Sequence, residues 1–488
     1  MSEVVFQSAT ELTEEIRNQR IGSAELLEMY IERYERLNPK INAIIATDFE
    51  TARKRAKQAD DALVRGENWG PLHGLPMTIK DAMEVAGMPC TWGSPELKDF
   101  IPERNAAAVQ PLIDAGAVIF GKTNVPLFAM DFQTFNEVYG QTNNPWDVSR
   151  TPGGSSGGAA AALAAGLTGL EIGSDIGGSI RCPAHYCGVY GHKSSHGIIS
   201  MHGQAPVPGV FPGDYSIEPD IAVAGPLARS ADDLALVMEL VVNPPLPQRK
   251  AISIRLPSPR KETLNEYRIG LWLDDPAYPV DSSVGDCLQK AVDRLAAGGA
   301  SIEEKRPDID FTDCHRIYID LLNLATVSSI PPEQFEEIKK TAATLSEDDQ
   351  SHYANNIRSI VRTHREWQAL NYQRTMMRQK WDDYFRDIDV LLCPASPVVA
   401  FPHDHQTILK RTLPINKSDV TCLDALLPWA GLTCVSYLPA TVAPVGFTAE
   451  WLPVGVQIVG PYLEDRTPIH VARLMEDITG GFTPPTGY

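Results

Sequence analysis

One arrangement recurs along this chain and limits the folds open to it: a helical pattern ends at a glycine, and a short apolar run follows. Residues 105–115 predict a helix that ends at Gly116, before the strand-like run 117–120. The same order returns over 286–304. Strands that alternate with helices predict an α/β fold, with a large, mixed but mostly parallel, twisted sheet covered by helices on both faces. Further strand-like runs lie at 77–80, 269–273 and 389–393.

The segments around these strands divide the 488 residues coarsely. Residues 1–70 carry helical patterns and form a predicted N-terminal helical region. Residues 305–390 are long, polar and helical in pattern, and we expect this helical insert to cap a substrate cleft. Two stretches rich in proline, 203–220 and 243–259, predict loops. A chain of this length forms either one very large domain or two to three ordinary ones.

The charge balance excludes some classes of partner. The chain has 43 Lys and Arg residues against 62 Asp and Glu residues, and the net charge of −19 repels nucleic acid and anionic membranes. Residues 1–20 contain acidic side chains and no apolar segment typical of a signal peptide. The most apolar stretch, 159–170, is too short to span a bilayer. We therefore expect a soluble, cytoplasmic protein without nucleic acid or membrane partners.

Eight cysteines are spread along the chain, most of them inside apolar runs. This distribution predicts reduced, buried thiols rather than a disulfide framework. Cys182 and Cys187 form a close pair with His185 between them, but a zinc site needs a second ligand pair at a matching spacing. The sequence contains no such pair, so we expect no metal.

Residues 116–123, GAVIFGKT, match the phosphate-binding pattern G-x-x-x-x-G-K-[ST]. The backbone between those glycines must be flexible, because its N–H groups wrap around the phosphates. Here the interval is an apolar strand, and Asn124, Val125 and Pro126 follow where a helix should begin. No nucleotide site is therefore predicted.

Two serine motifs also lack the local structure that their chemistry requires. Residues 154–158, GSSGG, match the nucleophile elbow G-x-S-x-G with Ser156 at its centre, and that motif needs a strand leading into the turn. A polar loop ending in a proline precedes it instead. Residues 258–261 match S-x-x-K, but a proline inside the motif prevents the helical turn that would bring Ser258 and Lys261 together.

A wider set of residues is more informative. Lys80 stands near the end of the run 74–82, and burying a lysine charge is costly. Its side chain either reaches water or is desolvated, in which case its pKa falls. Two glycine turns that carry serines follow, at 151–158 and 173–181. Taken alone, each turn is better explained as a tight connection. In the second, the backbone N–H groups of four residues can converge on one point, as an oxyanion hole requires: Ile176, Gly177, Gly178 and Ser179.

The combination resembles the amidase signature hydrolases over residues 8–475. That family carries a lysine after a strand, then GGSSGG, and then G-[ST]-D-x-G-G-S-[IV]-R-x-P-A-x-x-C-G. This chain reads GLPMTIKDA, TPGGSSGG and GSDIGGSIRCPAHYCG at the corresponding places. The resemblance implies the amidase signature fold, as one large domain over residues 1–488 with the signature core at 71–200. It also implies an enzyme that needs no cofactor.

The resemblance assigns roles to single residues. Ser179 is the implied nucleophile, and Lys80 is the implied base. Ser155 is the implied bridging serine, and in the family it follows a cis peptide bond. A neutral lysine can take the Ser179 proton through Ser155, which activates the serine for attack. Ser156 is left as a supporting neighbour.

Other positions of the motif are expected to support this set. Asp175 and Arg181 match the motif and are expected to brace the oxyanion loop. Met130 and Phe132 follow a family segment that often lines the acyl pocket, where an apolar or aromatic acyl group would suit them. Ordinary core packing is an equal alternative for both. Gly154 is the third expected substrate contact.

These roles predict a serine hydrolase that cleaves the C–N bond of a small carboxamide or anilide through an acyl-enzyme, with hydrazides, carbamates and esters as related substrates. The expected partner is that small-molecule amide, and a homodimer is one alternative for the oligomeric state. A glutaminase subunit of an amidotransferase is a second interpretation. Departures from the family pattern, such as Lys193, Ser194 and Ser195 in place of K-P-T, argue against that branch. A non-catalytic scaffold is a third, against which the intact Lys80, Ser155 and Ser179 set argues.

Overall fold

The computed structural model describes residues 4–204, 218–346, 348–349 and 351–488. Helices form where apolar side chains recur every three or four residues and can face the core together. In the second helix, for example, Leu26, Leu27 and Tyr30 are all buried. The helices are α1 (Ala9–Arg17), α2 (Ser23–Ile41), α3 (Phe49–Val64), α4 (Gln110–Asp114), α5 (Gly157–Ala164), α6 (Arg181–Cys187), α7 (Ala231–Val241), α8 (Ser282–Ala297), α9 (Phe311–Thr326), α10 (Pro332–Thr344), α11 (His352–Ile360), α12 (His364–Asp387), α13 (Cys422–Val435) and α14 (Arg466–Thr479).

The strands are short, and most of those in the large sheet are buried on both faces. They are β1 (Ile44–Thr47), β2 (Pro76–Lys80), β3 (Val118–Thr123), β4 (Phe135–Asn136), β5 (Gly140–Gln141), β6 (Glu171–Asp175), β7 (Tyr190–Lys193), β8 (Val223–Ala228), β9 (Arg268–Leu271), β10 (Ser301–Glu303), β11 (Val390–Pro394), β12 (Thr412–Ile415), β13 (Ser418–Thr421), β14 (Ala440–Phe447) and β15 (Pro453–Val459).

The main sheet has the strand order β10-β9-β11-β15-β14-β7-β8-β6, and helices pack against it. The α/β class and the mixed character of the sheet are confirmed. The expectation of mostly parallel pairing is wrong. Among the described residues, two neighbouring pairs of this sheet are parallel, β10 with β9 and β9 with β11, and the other five pairs are antiparallel. The link from β14 to β15 shows the reason: a connection from Phe447 to Pro453 is too short for a parallel crossover.

A smaller sheet, in the order β1-β3-β2, carries the strand that ends at Lys80. β2 pairs parallel with β3, and Lys80 lies opposite Thr123. β2 also packs against β6, the edge strand of the main sheet, which ends at Asp175. The ends of two strands from different sheets therefore meet, and the glycine turns that follow them extend from this place.

The repeated helix, glycine and strand order is present, with one boundary moved. The helix predicted over 105–115 is confined to α4, because Pro111 has no N–H and its ring prevents the helix from extending through it. Gly116 follows with φ at +103°, and a Cβ there would lie 2.7 Å from the Cα of His73. Only glycine fits this turn. β3 then includes Gly121, Lys122 and Thr123, so the phosphate-loop pattern lies in a strand, as expected.

The other segment predictions agree with the described residues. The helical region expected over residues 1–70 contains α1, α2 and α3, and the long helical pattern within 305–390 comprises α9, α10, α11 and α12. The stretch 243–259 contains a single short helical turn and no strand. Of the loop predicted at 203–220, residues 205–217 lie outside the described residues. Within the described ranges, none of the helices combines the length and the apolar character needed to cross a membrane.

Candidate active site

Lys80 is fully buried at the end of β2 and meets three serine hydroxyls. Its Nζ lies 2.7 Å from Ser155 Oγ, 2.8 Å from Ser156 Oγ and 3.1 Å from Ser174 Oγ. Burial lowers the pKa of Lys80 from 10.5 to about 7, although the charges of Asp175 and Glu171 act in the opposite direction. A neutral amine donates two protons and accepts one, and three hydroxyls can satisfy it completely. The site therefore holds an amine that can exchange a proton near neutral pH.

The turn before α5 delivers the first two of these serines. The Gly154–Ser155 peptide bond is cis, as predicted, and Ser156 is the residue directly before the helix. A Cβ on Gly154 would lie 2.3 Å from the carbonyl oxygen of Asp131, so a larger residue cannot occupy this position. The stretch TPGGSSGG is thus a tightly packed turn that places two hydroxyls on one lysine.

Ser179 lies in the turn between β6 and α6, next to the first turn. The Ser156 N–H donates to the Ser179 carbonyl oxygen at 3.0 Å and ties the two turns together. The exposed fraction is 0% for Lys80, 1% for Ser155 and 9% for Ser179. Of the three, Ser179 is therefore the one that solvent, and hence a substrate, reaches most readily.

Within the described residues, the Ser179 hydroxyl makes no hydrogen bond, and the Ser155 hydroxyl makes its hydrogen bond with Lys80. The proton path expected from the resemblance thus has its first link in place, from Lys80 to Ser155. The second link, from Ser155 to Ser179, stays a prediction.

The four N–H groups expected to face an oxyanion differ from one another. Gly178 donates its N–H to Asp175 Oδ1 at 2.8 Å, so its inclusion in the set is wrong for this conformation. The N–H groups of Ile176, Gly177 and Ser179 have no hydrogen-bond partner in the described part of the chain. These three remain available to a ligand, as the oxyanion prediction needs.

Asp175 and Arg181 form a buried ion pair under this turn. Arg181 donates to Asp175 through Nε and one terminal nitrogen at 3.0 and 2.8 Å, and its other terminal nitrogen donates to Gln457 Oε1 at 2.6 Å. Burial alone would raise the pKa of Asp175, but the charge of Arg181 holds that pKa well below its usual range. The Ile180 N–H also donates to Asp175, at 3.0 Å. The pair thus fixes the turn from below, as expected of a brace.

The expected substrate contacts lie in two different environments. Met130 has an exposed fraction of 57%, which rules out core packing for it. Phe132 is buried, and its Cε1 would lie 3.8 Å from a Cβ on Gly178. Phe132 is therefore next to the Ser179 turn. Gly154 packs against the backbone of the same 131–133 segment.

Two polar residues of β6 belong to this site although the sequence motifs did not indicate them. Ser174 is the third hydroxyl on Lys80, and Glu171 is fully buried and accepts a 2.5 Å hydrogen bond from Thr78. Burial raises the pKa of Glu171 to about 8, against the effect of the Thr78 hydrogen bond. At neutral pH, a carboxyl with a raised pKa places less negative charge near Lys80 than an ordinary glutamate would. The sequence signal that could have identified Glu171 is a carboxylate in a short strand, between apolar and small residues.

The cysteines and His185 are structural in their contacts. All eight cysteines are free and buried, which confirms the prediction of reduced thiols. His185, in α6 between Cys182 and Cys187, places its ring nitrogens 3.0 Å from the Gly455 carbonyl oxygen and 3.2 Å from that of Val398. Burial lowers the pKa of His185 to about 4, so it is a neutral core histidine near pH 7.

Comparisons with known proteins match this chain to a family and to relatives of similar length. The family model described as Amidase matches residues 25–468. A glutamyl-tRNA(Gln) amidotransferase subunit of Rippkaea orientalis is 32% identical over 97% of this chain and 98% of its own length. Fatty-acid amide hydrolase 2-B of Danio rerio is 28% identical over 98% of this chain and 90% of its own. The solved structure of a bacterial aryl acylamidase aligns with a TM-score of 0.78 at 25% identity, over 97% of this chain and 96% of that one.

Proposed function

Because this chain belongs to the amidase family, we propose that it hydrolyses the C–N bond of a small carboxamide or anilide, a linear amide other than a peptide, to a carboxylic acid and an amine or ammonia. One observation carries the proposal. A fully buried lysine, with its pKa lowered to about 7, lies 2.7 Å from Ser155 in the turn that adjoins Ser179. An amine in this state is a general base at neutral pH.

The first half of the proposed reaction forms an acyl-enzyme. Neutral Lys80 takes the Ser155 hydroxyl proton while Ser155 takes the Ser179 proton, and the Ser179 Oγ attacks the amide carbonyl carbon. The carbonyl π electrons move to oxygen, and free N–H groups of the turn stabilise the resulting oxyanion. When the carbonyl re-forms, the C–N bond breaks, and the relay returns its proton to the leaving nitrogen.

The second half releases the acid. Water attacks the Ser179 ester, and its proton passes through Ser155 to Lys80. The ester C–O bond breaks, the Ser179 oxygen regains the proton, and the carboxylic acid departs. Lys80 ends neutral, ready for another cycle. The same sequence applies to hydrazides and esters, which differ in the leaving group, and to carbamates, which differ in the acyl group as well.

The names of two relatives support an amide with an apolar or aromatic portion. One is a fatty-acid amide hydrolase and the other an aryl acylamidase. In this chain Phe132 is next to the Ser179 turn, and an apolar group of the substrate would suit it. We therefore favour carboxamides and anilides with an apolar acyl group over small polar amides.

The nucleophile can be tested by labelling. A fluorophosphonate probe should add its mass to wild-type protein at Ser179, and the same protein should hydrolyse members of a panel of aliphatic amides, anilides, hydrazides, carbamates and esters. Ser179→Ala should lose both the label and the hydrolysis. Ser301→Ala, which removes an exposed hydroxyl on β10, is the matched control and should keep both. Full labelling of Ser179→Ala would refute the assignment, and a wild-type protein inert to both the probe and the panel would favour the scaffold.

A second candidate is the glutaminase component of an amidotransferase, favoured by the 32% identity to one chain of such an enzyme. The two candidates differ in their substrate and in whether they need partner subunits. The proposed amidase should turn over panel amides as the isolated chain. Ammonia release from glutamine alone, or a rate that rises only with further subunits and tRNA, would support the alternative.

A further inference from the structure

A side chain of the helical segment α9–α12 reaches the Ser179 turn. Tyr318, on α9, is fully buried, and its hydroxyl donates to the Ile176 carbonyl oxygen at 2.9 Å. Ile176 and Ser179 are separated in sequence by the two glycines of the turn only. A residue 142 positions away in the chain thus holds the backbone at the centre of the candidate site.

The hydrogen bond from Tyr318 also affects the N–H group of the next residue, Gly177. The Ile176 carbonyl and the Gly177 N–H belong to one planar unit, and in a trans peptide they point in opposite directions. Holding the carbonyl therefore fixes the direction of the Gly177 N–H. The Ser179 N–H is fixed in the same way, because the Gly178 carbonyl in its unit accepts from the Cys182 N–H at 2.7 Å.

The two fixed units differ in what holds them. The Cys182 contact is a backbone hydrogen bond at the start of α6, which any residue except proline would make there. The Ile176 carbonyl is held by a side-chain hydroxyl. Because glycine is freer in φ and ψ than any other residue, the peptide between Ile176 and Gly177 could rotate if that hydroxyl were removed.

Packing leaves Tyr318 little freedom to move away. A Cβ on Gly431 of α13 would lie 2.3 Å from the Tyr318 ring, and a Cβ on Gly177 would lie 2.8 Å from its hydroxyl oxygen. The Tyr318 side chain therefore packs directly against the backbone of a glycine at each end. Burial also raises the pKa of Tyr318 well above its usual value, so the hydroxyl remains a donor across the working pH range.

We propose that Tyr318 is a positioning residue that directs the Gly177 N–H at the oxyanion of the transition state, so that α9 takes part in setting the catalytic rate. The inference rests on the proposed acyl transfer at Ser179. Tyr318 touches backbone rather than substrate, and it acts through the donor that it orients.

The variant Tyr318→Phe removes the hydroxyl and keeps the ring. Removing one oxyanion donor costs about 10²- to 10³-fold in kcat, and a donor that is retained but misdirected should cost less. We expect kcat for a panel substrate to fall about 10- to 100-fold with KM unchanged. Affinity for a trifluoromethyl ketone, whose hemiketal carries an oxyanion, should fall by a similar factor, whereas affinity for the product acid should not change.

Tyr384→Phe is the matched control. Tyr384 also donates to a backbone carbonyl, that of Lys305, at 2.8 Å, but on α12 and away from the turn. It should lose comparable stability in urea denaturation and keep wild-type kcat. A wild-type kcat in Tyr318→Phe, or equal losses of kcat in the two variants, would overturn the inference.

The rate of fluorophosphonate labelling separates this inference from the proposed function. Attack on the probe also places negative charge on an oxygen, so Tyr318→Phe should be labelled about 10-fold or more slowly even if the amide panel fails. Normal labelling of Tyr318→Phe, in a protein whose Ser179 is labelled, contradicts Tyr318 alone. A wild-type protein that neither reacts with the probe nor hydrolyses the panel contradicts the proposed function, and this inference falls with it.

Discussion

Two lysines stand on neighbouring strands, are equally buried and meet opposite surroundings. Lys80 ends β2 among three serine hydroxyls. Lys122, on the adjacent β3, lies 3.5 Å from the Asp81 carboxylate and donates to the carbonyl oxygens of Met83 and Pro89 at 2.8 and 3.0 Å. Both lysines have an exposed fraction of 0%.

The difference shows that contact partners, rather than depth, decide what a buried lysine does. Carboxylates and carbonyls only accept hydrogen bonds, so they favour an amine that keeps all its protons. Hydroxyls donate and accept, so they can satisfy the amine with or without its third proton. Lys80 is therefore suited to exchange a proton, and Lys122 to hold charged and polar backbone groups together.

The largest expected effect is the loss of activity in Lys80→Met. Without the base, Ser179 has no acceptor for its proton, and kcat/KM should fall about 10⁴-fold. Because Lys80 is not paired with a carboxylate, the free energy of unfolding in urea should change little or rise. A wild-type rate across neutral pH would contradict the proton relay.

The same substitution on the neighbouring strand, Lys122→Met, should instead lower the free energy of unfolding. It leaves the Asp81 charge buried without its cation, and breaking a buried ion pair costs about 3 to 5 kcal/mol. Urea denaturation measures this loss. The double variant Asp81→Asn with Lys122→Met is the control, and it should recover part of the stability because no unpaired charge remains. If Lys122→Met were as stable as the wild type, the proposed division between the two lysines would be wrong.

Among the described residues, Lys122 is paired with a carboxylate and Lys80 is not. A carboxylate placed beside Lys80 should lower the activity at neutral pH. In Ser174→Asp, a carboxylate beside the amine should raise the Lys80 pKa by about 1 to 2 units. The neutral fraction at pH 7 then falls about 5- to 50-fold, and activity falls with it, with recovery above pH 9. The neutral variant Ser174→Asn controls for size. Equal activity of the Asp and Asn variants at pH 7 would show that charge at this position does not control the base.

The wild-type pH profile is the mildest of these tests. Lys80 has to be neutral to accept a proton, and its pKa is lowered to about 7. Activity should therefore rise with pH, about tenfold per unit below that value, and level off above it. The pH dependence of kcat/KM measures this directly. A flat profile between about pH 5.5 and 8.5 would contradict a base with this pKa.

Local features of the site were predictable from the sequence because they depend on neighbours in the chain. The run GLPMTIKDA indicated a strand ending in a lysine, and β2 ends at Lys80. The glycine turns at 151–158 and 173–181 were visible as motifs, and the resemblance to the amidase signature hydrolases implied that they form one site. The rejection of the phosphate-loop pattern held because four apolar residues in a row favour a strand.

The missed features are those that depend on pairing between distant segments. Ser174 contacts Lys80 only because β2 and β6, from different sheets, pack together, and no local pattern reports that. Tyr318 lies on a helix whose periodicity predicts burial but not which carbonyl its hydroxyl meets. The direction of the strand pairs was misjudged for the same reason, since alternating elements leave open which strands become neighbours.

The gradient of exposure from Lys80 to Ser179 has a kinetic consequence. If the relay ends at a closed, buried amine, the proton taken from Ser179 has no way out except back past the same serine. The departing amine and the incoming water then use one side of the acyl group in turn. Amine release must precede hydrolysis, which gives ping-pong kinetics. An added nucleophile such as hydroxylamine should compete with water for the acyl group. The fraction of acyl groups transferred to hydroxylamine reports the lifetime of the acyl-enzyme.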